Sequence, residues 1–249
     1  MTQWVFDVGN SRLKAALLHA DGRLGEAVAV PHGEGGIASA LDAALPQAAT
    51  RSASAIVASV ASAARTAAVV DWLATRFDSI SIARTQPALL GVRIAYADPA
   101  RLGVDRFLGL LAARARGTQA WLVVGVGTAL TVDLLDAQGV HHGGRIAPSP
   151  TLMRAALEQA AAQLPAQGGV YAEFATDTPD ALASGCDGAA LGLIERSLAQ
   201  ACERLGIRPG LLLHGGGAEA LRPWLPDATL APGLVLEGLA RWARAGIDG

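Results

Sequence analysis

Residues 7–14 of this chain, Asp-Val-Gly-Asn-Ser-Arg-Leu-Lys, place a carboxylate and an amine on either side of a short polar turn. Apolar residues flank the segment, which predicts a strand, a tight turn and a second strand. Gly9 permits backbone conformations closed to other residues and leaves no side chain beside its amide. Asp7 could hold a magnesium ion directly or through water, and Lys14 could face the same phosphates. The segment therefore indicates a nucleotide phosphate site.

A second glycine turn supports that interpretation over the alternative of an ordinary hairpin, in which these residue types are also common. It spans residues 125–129, Gly-Val-Gly-Thr-Ala, and also lies between two apolar segments. Two such hairpins suggest a duplicated architecture. A third glycine cluster, Gly215-Gly216-Gly217, follows the short apolar segment 211–214 and could admit a base or ribose without side-chain obstruction.

The chain has 249 residues, which allows one large domain or two moderate ones. Its 20 basic and 22 acidic residues nearly balance, which argues against nucleic acid or an anionic membrane as partner. The longest uncharged run is too short and glycine-rich for a membrane span, and the amino terminus lacks the pattern of a secretory leader. Two cysteines are typical of a reduced intracellular protein. We expect a cytoplasmic protein with small-molecule ligands.

Alternating strands and helices are predicted along the whole chain from the spacing of apolar residues. In the first half we expect strands near 3–8, 13–19, 26–30, 55–60 and 80, and helices near 36–45, 63–77 and 102–116. In the second half we expect strands near 121–124, 130–135, 140–146 and 211–214, and helices near 150–164, 180–205, from 218 and 233–245. Residues 103–106, Gly-Val-Asp-Arg, would begin a helix, where anions bind favourably and side chains are rigidly positioned.

Two halves of this kind resemble the actin, hexokinase and Hsp70 superfamily, which implies an α/β fold of two duplicated ribonuclease-H-like halves with an ATP cleft between them. We expect the halves at 1–116 and 117–249. The chain most resembles type III pantothenate kinases, whose five motifs occur in order at 7–11, 103–106, 127–131, 143–148 and 164–165. The resemblance spans residues 4 to about 240. It implies ATP-dependent phosphorylation of pantothenate to 4'-phosphopantothenate, the first step of coenzyme A biosynthesis.

The resemblance also implies roles for individual residues. Asp105 would accept the proton of the pantothenate hydroxyl. Mg²⁺ would be bound at Asp7. ATP and its phosphates would be bound by Asp7, Val8, Gly9, Asn10, Ser11, Arg12, Leu13, Lys14 and Thr128. Pantothenate would be bound by Tyr96, Gly103, Val104, Asp105, Arg106 and Thr178. Thr178 precedes Pro179 and could instead cap a helix, and Tyr96 could simply pack.

One position departs from the family pattern. Relatives carry an aspartate two residues before the glycine of the second hairpin, and it binds a monovalent cation, K⁺ or NH₄⁺. Gly125 occupies that position here and offers only a carbonyl. Either the enzyme works without the cation, with another group such as Arg145 replacing its charge, or catalysis is impaired.

Two other functions stay open at this point. One is a kinase for another small molecule, because many superfamily members share the nucleotide chemistry. The other is a noncatalytic regulatory or accessory protein of the same fold, which the Gly125 substitution keeps possible. The Asp105-Arg106 motif argues against the first of these. Retention of Asp7, Lys14 and Asp105 argues against the second, since a pure binding module needs no base. The resemblance also implies a homodimer with the substrate pocket near the subunit interface.

Overall fold

The computed structural model describes residues 2–32, 36–45, 53–161, 163–165 and 167–246. Backbone contacts divide the chain into two compact units, which we call unit 1 (Met1–Gly117 with Gly233–Gly249) and unit 2 (Thr118–Pro232). The contacts thus group the last segment of the chain with unit 1. The domain boundary at 116/117 stays a prediction.

Unit 1 is built on a mixed sheet of five strands in the order β3-β2-β1-β4-β5. Its strands are β1 (Thr2–Val8), β2 (Arg12–Leu18), β3 (Val28–Pro31), β4 (Ala53–Ser59) and β5 (Ser79–Ile82). The first three strands pair antiparallel, and β1, β4 and β5 pair parallel. A small hairpin follows, formed by β6 (Ala88–Leu89) and β7 (Val92–Arg93).

The helices of unit 1 are α1 (Ile37–Ala44), α2 (Ala63–Ala74), α3 (Val104–Arg114) and the last helix of the chain, α7 (Leu234–Arg244). One core cluster includes Phe6, Leu13, Leu41 and Leu73, and joins the sheet to α1 and α2. Helix α3 packs against α7, which also contacts β1. Gly238 of α7 lies directly on the α3 backbone at Leu108, so closely that an added Cβ would collide with it. Only glycine allows the two helices to approach this closely.

Unit 2 repeats the sheet topology of unit 1, with strand order β10-β9-β8-β11-β12. Its strands are β8 (Trp121–Val126), β9 (Ala129–Leu135), β10 (His141–Pro148), β11 (Gly210–His214) and β12 (Ala228–Leu230). The duplicated architecture predicted from the two glycine turns is confirmed. The helices are α4 (Pro150–Ala160), α5 (Thr178–Leu205) and α6 (Ala218–Leu221).

The core of unit 2 lies between one face of this sheet and α5, where Leu122, Val124, Val132 and Ile194 pack together. Strand β10 is irregular between residues 141 and 144, where Gly143 has a φ of 97°. This bulge adds one residue to β10 and pairs Arg145 with Val132. Within the described residues, no helix is both long and apolar enough to cross a bilayer.

Candidate active site

The first hairpin brings Asp7 and Lys14 together as directly paired residues of β1 and β2, on the same face of the sheet. The turn between them closes with a hydrogen bond of 3.1 Å from the Gly9 amide to the Arg12 carbonyl. The Gly9 amide therefore donates its hydrogen bond to the turn itself. A Cβ at residue 9 would lie 3.1 Å from the same carbonyl oxygen, so a larger residue would require the turn to shift slightly.

Two side chains distant in sequence hold the carbonyl groups of this turn. His32 Nε2 is 2.9 Å from the Gly9 oxygen, and Arg65 Nη1 donates to the Asn10 oxygen at 2.7 Å. The amide of His32 donates to the Ser11 oxygen at 3.2 Å. Because the C=O and N–H of a trans peptide point in opposite directions, this arrangement aims the amides of Asn10 and Ser11 away from His32 and Arg65. The Asn10 amide is thus directed away from His32 and the Ser11 amide away from Arg65, and backbone amides of this kind can bind anions.

The Asp7 carboxyl lies in an unfavourable environment for a negative charge. Burial, and then the negative charge of Asp105, raise the pKa of Asp7 from 3.8 to about 7, while Lys14 opposes the shift. Asp7, Lys14 and Asp105 therefore interact electrostatically within unit 1. Perturbed carboxylates of this kind are concentrated at functional sites.

Asp105 lies in the first turn of α3, two residues after the N-cap residue Gly103. Its Oδ1 accepts a hydrogen bond of 2.8 Å from the Arg106 amide. A Cβ on Gly103 would lie 2.7 Å from the same oxygen, so a larger residue would displace the Asp105 carboxylate. The helix start and Gly103 together fix the position of this carboxylate.

Arg106 is a buried arginine, 7% exposed, which requires partners for its charge. Its Nη1 donates to the Tyr96 hydroxyl at 3.3 Å, and its guanidinium lies 5.9 Å from the centre of the Tyr96 ring. Tyr96 and Arg106 are thus in contact next to Asp105.

Val8 and Leu13 have fully buried side chains, so only their backbone could contact a ligand. Val104 is also buried, at 9% exposure.

The second hairpin, in unit 2, is also closed by a glycine amide, over a shorter turn than the first. Gly127 donates to the Ala129 carbonyl at 2.9 Å, which leaves Thr128 exposed at the tip. Gly217 donates to the Val126 carbonyl at 3.0 Å. Gly215 packs against the Val126 backbone with a φ of 94°, where a side chain would collide. The third glycine cluster therefore supports the second hairpin.

Thr178 is exposed and is the first residue of α5. The helix is capped by Asp177, whose side chain accepts a hydrogen bond from the Asp180 amide. The alternative interpretation of Thr178 as the cap is wrong, because Asp177 takes that place.

A cavity of about 460 Å³ in unit 2 lies elsewhere, between β9, β10 and α5. Its walls include Arg145, whose Nη1 donates to the Ser197 hydroxyl at 2.7 Å. None of the residues predicted to bind ATP, magnesium or pantothenate lines it, so it carries no argument for the active site.

The described residues contain no group of three or more His, Cys, Asp or Glu side chains that could hold a metal ion. Mg²⁺ does not need such a group, because it is commonly bound through one or two carboxylates together with substrate phosphates. Asp7 fits that requirement, since its burial makes a nearby divalent cation favourable. The residues present therefore fit magnesium in a nucleotide complex.

Unit 1 thus brings together Asp7, Lys14 and Asp105 on one side, and Arg106 and Tyr96 beside them. The assignment of these groups, and of Thr128 and Thr178 in unit 2, to ligands stays a prediction. Sequence reasoning missed His32 and Arg65, which lie 23 and 55 residues from the carbonyls they bind. No short motif marks either of them.

Comparisons with known proteins agree on a single family. The family model for type III pantothenate kinase matches residues 4–200. A type III pantothenate kinase of Stenotrophomonas maltophilia (strain K279a) is 58% identical over 243 residues, covering 98% of each chain. One from Xanthomonas axonopodis pv. citri (strain 306) is 56% identical over 245 residues, again covering 98% of each.

Solved structures agree on the fold. A conserved Campylobacter jejuni protein of the Baf family, to which transcriptional activation has been attributed, has a TM-score of 0.63 at 18% identity, covering 97% of this chain and 98% of its own. Component A of the (R)-2-hydroxyglutaryl-CoA dehydratase of Acidaminococcus fermentans has a TM-score of 0.51 at 13% identity, covering 99% of this chain and 100% of its own. At such identities the likeness concerns the fold alone, and it supports the actin-like ATPase and sugar kinase fold.

Proposed function

The chain belongs to the type III pantothenate kinase family, and from this premise we propose that it phosphorylates pantothenate with ATP. The reaction forms a bond between the γ-phosphorus and the primary hydroxyl oxygen, and breaks the bond between that phosphorus and the β–γ bridging oxygen. The products are 4'-phosphopantothenate and ADP. This is the first step of coenzyme A biosynthesis, and we assign it to the cytoplasm, where free thiols such as Cys186 stay reduced.

Asp105 is the general base in this proposal. A neutral alcohol is a weak nucleophile, so its proton must leave as the new P–O bond forms. The Arg106 amide holds the Asp105 carboxylate at the start of α3. Gly103 has no side chain and so leaves room for the carboxylate. Asp7 adds a second carboxyl nearby, whose pKa is raised first by burial and then by the negative charge of Asp105.

Arg106 binds the carboxylate of pantothenate. The planar guanidinium forms paired hydrogen bonds to a carboxylate, and in the protein it is held beside the Tyr96 hydroxyl. Burial of Arg106 reduces the screening of its charge by water, which strengthens its attraction for an acidic substrate. Tyr96, Gly103 and Val104 are the further pantothenate contacts that we propose in unit 1, and the assignment of Thr178 rests on the family resemblance.

The hairpin at residues 7–14 binds the phosphates of ATP. Its Asn10 and Ser11 amides and the Lys14 amine are the donors, while His32 and Arg65 fix the turn that presents them. Asp7 would hold magnesium, which would supply positive charge against the phosphate oxygens. In unit 2 we assign a phosphate contact to the exposed Thr128.

The electrostatic grouping of Asp7, Lys14 and Asp105 is the observation that carries this proposal. It is tested by ATP-dependent phosphorylation of pantothenate by the purified protein and by Asp105→Asn. We expect the substitution to lower kcat by about 10²–10⁴-fold and to leave ATP affinity within about threefold of wild type. Asp98→Asn, which removes an exposed carboxylate from the segment before α3, is the control. Full activity of Asp105→Asn, or ATP binding without turnover by the wild type, would contradict the proposal.

We also propose that the protein is a homodimer formed through unit 2. Large apolar side chains are exposed there: Ile146 is 66% exposed, Val170 74% and Phe174 95%. Helix α4 has no buried residue, so it too leaves apolar surface for a second copy. Light scattering after gel filtration should give twice the chain mass. Phe174→Ser should shift the protein toward monomer, whereas Ile207→Ser at a separate exposed site should not.

A further inference from the structure

Three neighbouring strands of unit 2 meet at the position where relatives carry the cation-binding aspartate. Gly125 of β8 pairs directly with Thr131 of β9 and with His214 of β11. Directly paired residues project from the same face of a sheet. Thr131 and His214 therefore flank Gly125 on one face.

The space beside Gly125 is filled by these two side chains. A Cβ at residue 125 would lie 2.7 Å from Thr131 Oγ1, 2.9 Å from His214 Nε2 and 3.0 Å from His214 Cε1. These separations are shorter than carbon can tolerate to nitrogen or oxygen, so a larger residue fits only if the Thr131 and His214 side chains move. The residues present do not fit a bound monovalent cation, because the carboxylate is missing and an imidazole lies where it would project.

Arg145 does not replace the charge of a cation beside Gly125. Arg145 pairs with Val132 on the core face of the sheet, whereas the adjacent residue, Thr131, projects from the opposite face. The sequence-based suggestion that Arg145 replaces the cation is therefore wrong.

We propose that this chain binds no monovalent cation at its second hairpin, because the His214 imidazole permanently occupies that position. Given the proposed function, phosphoryl transfer proceeds without K⁺ or NH₄⁺. His214 acts as a positioning residue that fills the space behind the hairpin and keeps Gly125 and Thr131 in place. The imidazole also supplies an N–H donor where a carboxylate supplies only acceptors.

The first test compares wild-type protein in KCl, NH₄Cl and choline chloride at about 100 mM each, so that screening is equal. We expect turnover to differ by less than about twofold and the melting temperature to be the same within about 1 °C in all three salts. A stimulation by K⁺ of about tenfold or more, or a melting temperature raised by K⁺ alone, would overturn the proposal. Absence of pantothenate phosphorylation in every salt would instead count against the proposed function, and the melting temperatures would still test the cation site.

The second test restores the missing carboxylate. The double variant Gly125→Asp, His214→Ala removes the imidazole and places an aspartate in the space it leaves. We expect its melting temperature, unlike that of the wild type, to rise in KCl over choline chloride, by at least about 2 °C. His142→Ala, which removes a histidine from another strand of the same sheet, should not acquire this response.

The single variants keep the test decisive if the double variant does not fold. Gly125→Asp with His214 retained should be much less stable than wild type in every salt, because the two side chains collide. If Gly125→Asp is instead as stable as wild type, His214 does not fill the position and the proposal is refuted. His214→Ala should lower kcat more than it raises KM for pantothenate, since the imidazole supports the hairpin and makes no pantothenate contact in this proposal.

Discussion

Substitution of Asp7 by asparagine should make the metal-free protein more stable at neutral and alkaline pH. The wild-type carboxyl is ionised there in surroundings that disfavour its charge, because it is partly buried and lies near Asp105. Asparagine has nearly the same shape and no charge. The same change should weaken binding of Mg²⁺ with ATP, so that stability and function move in opposite directions.

The size of the effect follows from the raised pKa of Asp7. A carboxyl whose pKa is 3.8 when unfolded and about 7 when folded binds its proton more tightly in the folded state. The contribution to stability is therefore fully present below about pH 4 and is lost as the pH rises toward 7. At about 1.4 kcal/mol per pKa unit, the complete loss is about 4 kcal/mol. Asp7 retains partial solvent exposure, and screening by water reduces this to about 2 kcal/mol.

The assay measures the free energy of unfolding of unit 1 by urea denaturation. Metal-free wild type and Asp7→Asn are compared at several pH values between about pH 5 and pH 8. The stability difference between the two proteins should grow with pH and level off above about pH 7. Asp71→Asn, which removes an exposed carboxylate from α2, is the matched control and should show no such trend. Equal stability of Asp7→Asn and wild type at about pH 8, or a difference that does not shrink at pH 5, would refute the reasoning.

Three further predictions concern other parts of unit 1 and a helix of unit 2. Gly238→Ala should destabilise the protein by about 2 kcal/mol or more in thermal or urea denaturation, because the added Cβ collides with the backbone at Leu108. Gly192→Ala is the control, and because this position on α5 faces open space the substitution should stabilise the protein by about 0.5–1 kcal/mol. Arg106→Lys should raise KM for pantothenate by about 10–100-fold and change kcat little, since the paired hydrogen bonds to a carboxylate are lost. Arg65→Ala should raise KM for ATP by about tenfold while KM for pantothenate stays constant, because it releases the Asn10 carbonyl. An unchanged KM in either kinetic experiment would contradict the corresponding assignment.

Local sequence pattern predicts the two glycine hairpins and the helix that begins at Val104, since each depends on neighbouring residues. It does not predict β12 (Ala228–Leu230), whose three residues are too few to show a period. It places the start of α5 near 180, whereas Asp177 caps the helix and starts it at Thr178. These differences are small and local.

The supports of the site could not be predicted in the same way. His32 and Arg65 bind the first turn only because the fold brings β3 and α2 to it, and their own neighbours show no motif. The position of His214 beside Gly125 likewise depends on the parallel pairing of β8 and β11, which are separated by more than eighty residues. The sequence shows that an aspartate is missing at 125, but only the strand register shows what takes its space.

The packing of α7 on α3 affects how the chain folds as it leaves the ribosome. The strands of unit 1 and α3 emerge first, yet the helix that covers α3 is made only after all of unit 2 has been synthesised. At about 5–20 residues per second, this delay is on the order of ten seconds. During that interval α3 lacks the contact that α7 makes at Leu108, while unit 2 can already fold from contiguous sequence. We expect unit 2 to be the first to complete its native structure, although it lies second in the chain.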